Sequence, residues 1–259
     1  MIPTALTIAG SDPSGGAGLQ ADLKTFHQRR VYGMAVVSLL TVQNTRGVRA
    51  VHPLKPAQVI SQLETVLEDI CPRAAKTGAL GNEGLIRAIA RKAETFRFPL
   101  VIDPVMVSKH GARLLASSSV EALKKSLIPH AALVTPNIPE AEILAGIRIG
   151  NLSDMKKASR RILELGPRAV LLKGGHLKGD SIDVFCDGKR MVLLKAPRIR
   201  TRHTHGTGCT YSAAITAELA KGRELLAAIR IAKRFVTKAI RTAPGLGRGA
   251  GPVNHFVKG

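Results

Sequence analysis

The chain has 259 residues, 45% of them hydrophobic, and carries 39 Lys and Arg against 18 Asp and Glu, a formal net charge of +21. That length is long for one domain and short for two, with enough apolar material for a sizeable core, and no run approaches the roughly 20 apolar residues that span a bilayer. Met1-Ile2-Pro3-Thr4 lacks the basic region of a signal peptide, and three cysteines without a C-x-x-C pair argue against a disulfide framework or a zinc site, so a cytoplasmic protein with no membrane partner is expected.

The charge raises nucleic-acid binding as one class of function. The basic residues are scattered pairs, however: Arg29-Arg30, Arg91-Lys92, Lys124-Lys125, Lys156-Lys157 and Arg160-Arg161. Two tyrosines, six phenylalanines and no tryptophan make a poor supply of base-stacking surface. A solvated basic surface without a nucleic-acid partner is the reading adopted, and its field would also draw nucleotides and phosphorylated substrates.

Taken in order, short apolar runs alternate with amphipathic stretches. Strands are expected at Ala5–Ala9, Ala35–Val42, Ala74–Thr77, Leu100–Asp103, Ala132–Thr135 and Ala169–Lys173, rich in Val, Ile or Leu as when both faces are covered. Helices are expected at about Gly18–Arg30, Pro56–Asp69, Glu83–Phe96, Ser118–Ile128, Pro139–Ala145, Ser153–Leu165, Thr210–Lys221 and Glu224–Thr242. Pro56 and Pro139 suit a first helical turn. The alternation implies right-handed crossovers and an α/β fold with a mainly parallel central sheet and helices on both faces. Ile182–Cys186, Asp187-Gly188 and Met191–Leu194 read as a late antiparallel hairpin. No linker or composition break divides residues 1–259, so a single domain is expected. The tail Gly245-Leu246-Gly247-Arg248-Gly249-Ala250-Gly251-Pro252 is either a floppy end or a loop lining a site.

Ligands of open parallel sheets bind beyond the carboxyl ends of strands, and the polar clusters fall there. After the first strand, Gly10-Ser11-Asp12-Pro13-Ser14-Gly15-Gly16-Ala17-Gly18 allows close approach to a ligand, with Asp12 and then Asp22 as acceptors. It is neither a Walker A loop nor G-x-G-x-x-G, and a turn with Asx caps is the plainer alternative. After the second strand, Gln43 offers a donor and an acceptor to an aminopyrimidine-like edge. Asp103 ends the fourth strand, where a carboxylate suits magnesium held through water. Asn137 and Glu140, three apart at a helix start, either share that shell or cap the helix. Lys173-Gly174-Gly175-His176 places a lysine to reach a phosphate.

The most informative segment is His205-Gly206-Thr207-Gly208-Cys209-Thr210-Tyr211-Ser212-Ala213-Ala214. Glycines ahead of a small-residue helix leave amide donors uncovered at the positive end of the dipole, a pocket for phosphate. The alternative is a glycine turn capping an ordinary helix. Together the clusters converge on ATP, magnesium and a small polar acceptor.

These segments resemble the hydroxymethylpyrimidine/phosphomethylpyrimidine kinases of thiamine biosynthesis, a branch of the ribokinase-like superfamily. The resemblance is carried by Ala5 to Phe26, Gln43-Asn44-Thr45, Asp103-Pro104-Val105-Met106, Thr135-Pro136-Asn137, Lys173 to His176, Thr204 to Thr210, and Gly251-Pro252-Val253. It implies ATP-dependent phosphorylation of 4-amino-5-hydroxymethyl-2-methylpyrimidine and then of its monophosphate, with a homodimer expected. By the same resemblance Gly10, Asp12, Asp22, Gln43 and Ala79 lie near the pyrimidine. Gly206, Thr207, Gly208 and Cys209 lie at the reacting hydroxyl. Lys173, Asn137, Glu140 and Thr204 serve the nucleotide, and Asp103 and Glu140 the magnesium, through water. Cys209, with a pKa lowered by the helix start, is a candidate base or a pocket wall. His203 stands where many members have asparagine, and Ala79 where some have methionine. No fused thiamine-phosphate synthase is expected. Pyridoxal or pyridoxine kinase is the alternative enzyme of the superfamily.

Overall fold

The computed structural model describes residues 2–108, 111, 114–116, 118–175, 177 and 179–257. Six strands run parallel: β1 (Thr4–Ser11), β2 (Tyr32–Asn44), β4 (Ala74–Thr77), β5 (Leu100–Ile102), β6 (Leu133–Val134) and β7 (Val170–Leu172). Three more are antiparallel to their neighbours: β3 (Gly47–Pro53) beside β2, and β8 (Ser181–Cys186) and β9 (Met191–Ala196) beyond β7. All nine share one sheet in the order β3-β2-β1-β4-β5-β6-β7-β8-β9. β1 leads to β2 on one side and the chain returns to β4 on the other. That reversal opens a crevice at the carboxyl end of β1.

Helices cover both faces because strand side chains alternate. Leu6, Ile8, Val36 and Ile102 pack against α2 (Pro56–Asp69), α3 (Glu83–Ala93), α5 (Ile138–Ala145) and α6 (Leu152–Leu163). On the other face Ala5, Ala74, Val101, Leu133 and Leu171 meet α1 (Gly18–Gln28), α7 (Thr207–Ala220) and α8 (Leu225–Arg241). The short α4 (Ser119–Ala122) widens into a π turn over Leu123–Leu127 and tightens into a 3-10 turn at Ile128–His130. Pro129 has no N–H to continue an α-helical ladder there. Among the described residues, no helix is long and apolar enough to cross a membrane.

The expected elements are present, with three differences that bear on the site. β3 was not anticipated: Gly47–Pro53 mixes Arg49 and His52 with its apolar residues, a weak strand signal. β2 runs to Asn44, so Gln43 sits on a strand, paired with Val48 of β3, and not on a loop. α7 begins at Thr207, three residues early, which puts Cys209 in its first turn.

Candidate active site

A cavity of about 620 Å³ lies over the carboxyl ends of β1, β4, β5, β6 and β7. Its wall includes Gly10, Asp12, Gln43, Ala79, Asp103, Asn137, Glu140, Lys173, Thr204, Gly206, Thr207, Gly208 and Cys209, so thirteen of the fourteen site residues read from sequence come together. Asp22 does not. His176 lies outside the described residues.

The loop after β1 is built on Asp12. Its Oδ1 accepts from the Ser14 amide (2.9 Å) and hydroxyl (2.7 Å); its Oδ2 accepts from the amides of Gly16 (3.1 Å) and Ala17 (2.8 Å). His205 Nε2 lies 2.8 Å from the same Oδ2, and Gln43 is near enough to help lower the pKa of this carboxylate. Burial works to raise the Asp12 pKa, but these bonds, led by His205, hold it far below the usual carboxylate range. The expected substrate acceptor is therefore occupied by its own loop: Asp12 holds the wall in shape. Gly18 has φ +56°, and a β-carbon there would overlap the Gly10 carbonyl. That is the close approach these glycines permit.

The start of α7 has no side-chain cap. The Thr207 amide donates to the Thr204 carbonyl and the Thr210 amide to Gly206. Among the described residues no protein acceptor meets the amides of Gly208 and Cys209, which line the cavity. Gly206 has φ +75°, and a β-carbon would overlap the Gly16 carbonyl. Gly208 is tight for another reason: its β-carbon would stand 3.2 Å from Lys173 Nζ. The result is a cradle of amides with an ammonium over it, the arrangement that binds phosphate.

Lys173 Nζ donates to Asp103 Oδ1 at 2.9 Å. Thr135 also bonds that oxygen, and the Ser212 hydroxyl lies 3.4 Å from Oδ2. Burial would lower the Lys173 pKa, but Asp103 and Glu140 raise it, so it stays an ammonium. Asn137 and Glu140 cap each other: Asn137 Oδ1 accepts the Glu140 amide (3.0 Å), and Glu140 Oε2 accepts the Asn137 amide (2.8 Å). The helix-cap alternative thus holds for both. Burial, with the nearby Asp103 charge, pushes the Glu140 carboxyl up to about 7 against the pull of Lys173. Among the described residues no three acids, histidines or cysteines cluster as a closed metal site. Two carboxylates facing one ammonium suit a magnesium held mainly by phosphate oxygens and water.

Two expectations are corrected. Asp22 is fully buried on α1; Thr7 donates to it at 2.6 Å and Lys76 Nζ reaches both oxygens at 2.8 Å. Thr7 and Lys76 are paired in register on β1 and β4, so Asp22 faces the sheet behind the cavity. The Cys209 thiol is not acidified by the helix start. Burial pushes it up to about 12, outweighing the pull of Lys76, with Asp22 and Asp103 adding to the rise. A pKa that high keeps the thiol neutral at physiological pH, and Cys209 lies in the cavity wall.

The glycine-rich tail is packed. A β-carbon at Gly247 would overlap the Thr45 side chain, and one at Gly249 the Thr45 carbonyl. The His205 amide donates to the Gly251 carbonyl at 3.1 Å, which ties the tail to the segment entering the anion pocket. His203 packs against Gly251. Sequence reasoning missed Ser181, Asp183, Tyr211 and Lys233 on the far wall. One signal existed: Lys233 stands among the apolar positions Ile229, Ala232 and Val236 of α8.

Fold and cavity together place the chain in the ribokinase-like class of α/β proteins. Its structure superposes on the pyridoxal kinase of Staphylococcus aureus, solved with AMP-PCP and pyridoxal, with TM-score 0.92 and 38% identity over 99% of this chain and 94% of that one. The phosphomethylpyrimidine kinase of Clostridium difficile matches with TM-score 0.82 and 46% identity over 92% of this chain and 99% of that one. The hydroxymethylpyrimidine/phosphomethylpyrimidine kinase of Bacillus subtilis is 47% identical over 99% of this chain and 96% of its own length. The family profile described as phosphomethylpyrimidine kinase matches residues 12–254. The chain belongs to the phosphomethylpyrimidine kinase family.

Proposed function

We propose that the protein transfers the γ-phosphoryl group of ATP to the hydroxymethyl oxygen of an aminopyrimidine and then to the resulting monophosphate, as in thiamine biosynthesis. The observation that carries this reading is the 47% identity, over nearly the whole chain, to a hydroxymethylpyrimidine/phosphomethylpyrimidine kinase. A single domain is part of this reading, supported by a nine-stranded sheet that is continuous through the described residues.

The work is positioning and charge stabilisation. Gly10, Gln43 and Ala79 flank the acceptor, with Asp12 and Asp22 holding that wall from behind. Thr204, Asn137 and Lys173 face the nucleotide. The amides of Gly208 and Cys209 receive the migrating phosphoryl group, whose oxygen–phosphorus bond to the acceptor forms as the bridge to ADP breaks. A loose transition state asks little of a base, so a neutral Cys209 is no obstacle; the hydroxyl proton leaves late, to a phosphoryl oxygen or water. Magnesium, when bound, offsets charge on the phosphates, and Asp103 and Glu140 would hold its water shell. The basic surface is read as a field for phosphorylated ligands, not a nucleic-acid face. Exposed Tyr32, Leu40 and Val42 on β2 offer an apolar surface for the expected homodimer.

A coupled ADP-release assay on the hydroxymethylpyrimidine, its monophosphate and pyridoxal tests the reading. Both pyrimidines should exceed pyridoxal in kcat/KM by at least about tenfold, since a site built for an amino edge rejects analogues that leave its polar groups unpaired. The second reading, pyridoxal kinase, is favoured by the TM-score of 0.92 to the Staphylococcus aureus enzyme. Preference for pyridoxal would establish it.

A further inference from the structure

The far wall of the cavity holds a buried carboxylate that the transfer reaction does not use. Asp183 lies in the middle of β8 and is 2% exposed. Its Oδ1 accepts the Gly174 amide at 3.0 Å. Its Oδ2 accepts the Tyr211 hydroxyl at 3.1 Å and Lys233 Nζ at 2.7 Å. Lys233 also donates to the Ser181 carbonyl (3.3 Å) and hydroxyl (3.2 Å). Three distant segments therefore meet on one side chain: the residue after Lys173, the turn of α7 just past Cys209, and α8.

Packing alone does not call for this arrangement. Lys233 stands on the core face of α8, where an apolar residue would be cheaper to bury, and replacing buried ion pairs by apolar side chains is often neutral or stabilising. What the arrangement fixes is direction. The Lys173 amide donates to the Pro136 carbonyl at 2.8 Å, and the next amide, Gly174, donates to Asp183. These two bonds orient the peptide planes on either side of the Lys173 α-carbon, and so the line along which its side chain leaves the backbone. The fit is close: a β-carbon at Gly174 would overlap the Ile182 carbonyl.

We propose that Asp183 is a positioning residue for the phosphate-facing lysine, with Lys233 and Tyr211 fixing the carboxylate from behind. The proposal rests on the reading that Lys173 serves the ATP phosphates. It makes the effect of Asp183 specific to phosphate: the lysine is aimed through Gly174, while the rest of the nucleotide does not depend on it.

The test compares two double variants, neither of which strands a buried charge. Asp183→Asn/Lys233→Met keeps an oxygen for the Gly174 amide; Asp183→Leu/Lys233→Met removes it. ATP and adenosine are each titrated by calorimetry, and kcat is measured alongside. The Leu variant should lose about tenfold or more in kcat and in ATP affinity relative to the Asn variant, with adenosine affinity equal within about twofold. Equal behaviour of the two, or a parallel loss of ATP and adenosine affinity, overturns the proposal. If the Leu variant does not fold, Asp183→Ala/Lys233→Met takes its place under the same criteria. Lys173→Met separates the two levels. If it leaves ATP affinity and kcat unchanged, the reading of Lys173 fails and the proposal with it. If it lowers them while the double variants behave alike, the proposal alone fails.

Discussion

Two aspartate–lysine pairs stand side by side in this molecule and do different things. Asp22–Lys76 and Asp103–Lys173 have nearly the same contact distance, 2.8 and 2.9 Å. Both bridge elements on the face covered by α7. The first is sealed: both side chains have no exposure, and Thr7 supplies a further donor to the carboxylate. The second is open: Lys173 keeps 14% of its side chain exposed, spends one N–H on Asp103, and stands over Gly208 at the cavity floor. Residue type and pairing do not decide which pair works on a ligand. An ammonium with donors to spare toward an opening does. In the sealed pair, burial opposes the Lys76 charge and Asp22 sustains it, so the pair is complete within the protein.

The sharpest way to break this comparison is to remove each ammonium. Lys173→Met should lower kcat by about 10²–10³-fold, the range for a group that stabilises transition-state charge, with a smaller loss of stability than at the sealed pair, because Thr135 still donates to Asp103 and the lysine position opens on the cavity. Lys76→Met should do the reverse. Removing one partner of a buried pair costs about 3–5 kcal/mol because the other charge is left uncompensated. Asp22→Asn/Lys76→Met should recover most of that stability. Denaturant unfolding and steady-state kinetics on the three variants decide the matter. A strong kcat loss in a stable Lys76→Met protein would mean that the sealed pair also acts on the reaction.

Much of the open site was legible in sequence because it is built from contiguous segments. Gly206-Thr207-Gly208 and Lys173-Gly174 announce an anion pocket by local chemistry, and their strand-end placement follows from the alternation of elements. Asp22 was misplaced because spacing along α1 does not say which way the helix turns it. That depended on Thr7 and Lys76 falling in register across β1 and β4. Asp12 was seen, but the number of amides its own loop would direct at it was not. The Asp183–Lys233 contact joins residues 50 apart with no motif between them. The Cys209 thiol was misjudged because a helix start suggests acidity, whereas burial and two neighbouring carboxylates work against it.

The two pocket glycines sharpen the same contrast on the backbone. Gly208→Ala places a β-carbon 3.2 Å from Lys173 Nζ, the far end of a flexible chain. It should displace the ammonium and lower kcat by about tenfold while leaving the fold intact. Gly206→Ala meets the Gly16 carbonyl and a left-handed φ of +75°, and neither can yield cheaply. It should cost about 1–3 kcal/mol of stability. Equal melting temperatures for the two variants would show that the Gly16–Gly206 contact is loose.

A smaller effect is expected at the thiol between the two pairs. Since Cys209 is neutral, Cys209→Ser should lower kcat by less than about tenfold, below the roughly 10²–10⁴ typical of a lost general base. At pH 7 iodoacetamide should label it no faster than exposed Cys71. A larger loss, or fast labelling suppressed by ATP, would restore Cys209 as a base.

The smallest expected effect comes from a sealed contact that is neutral rather than ionic. His255 Nε2 lies 3.0 Å from the Thr210 hydroxyl on α7, and the ring is nearly buried. Burial, with the Lys24 charge adding to it, pushes the imidazole down to about 4 from its ordinary 6.5. Below 6.5 the unfolded chain takes up a proton that the folded ring refuses, so the unfolded state binds more protons and stability falls as pH falls. The contribution is therefore present above pH 6.5 and lost between 6.5 and 4. At about 1.4 kcal/mol per pH unit once inside that window, roughly 1 kcal/mol is gone by about pH 5.5. His255→Asn should flatten this part of the profile, measured as the difference in thermal midpoint between pH 7 and pH 5.5. An unchanged acid slope in His255→Asn would mean that the histidine is already charged in the fold and that Thr210 is held by other contacts.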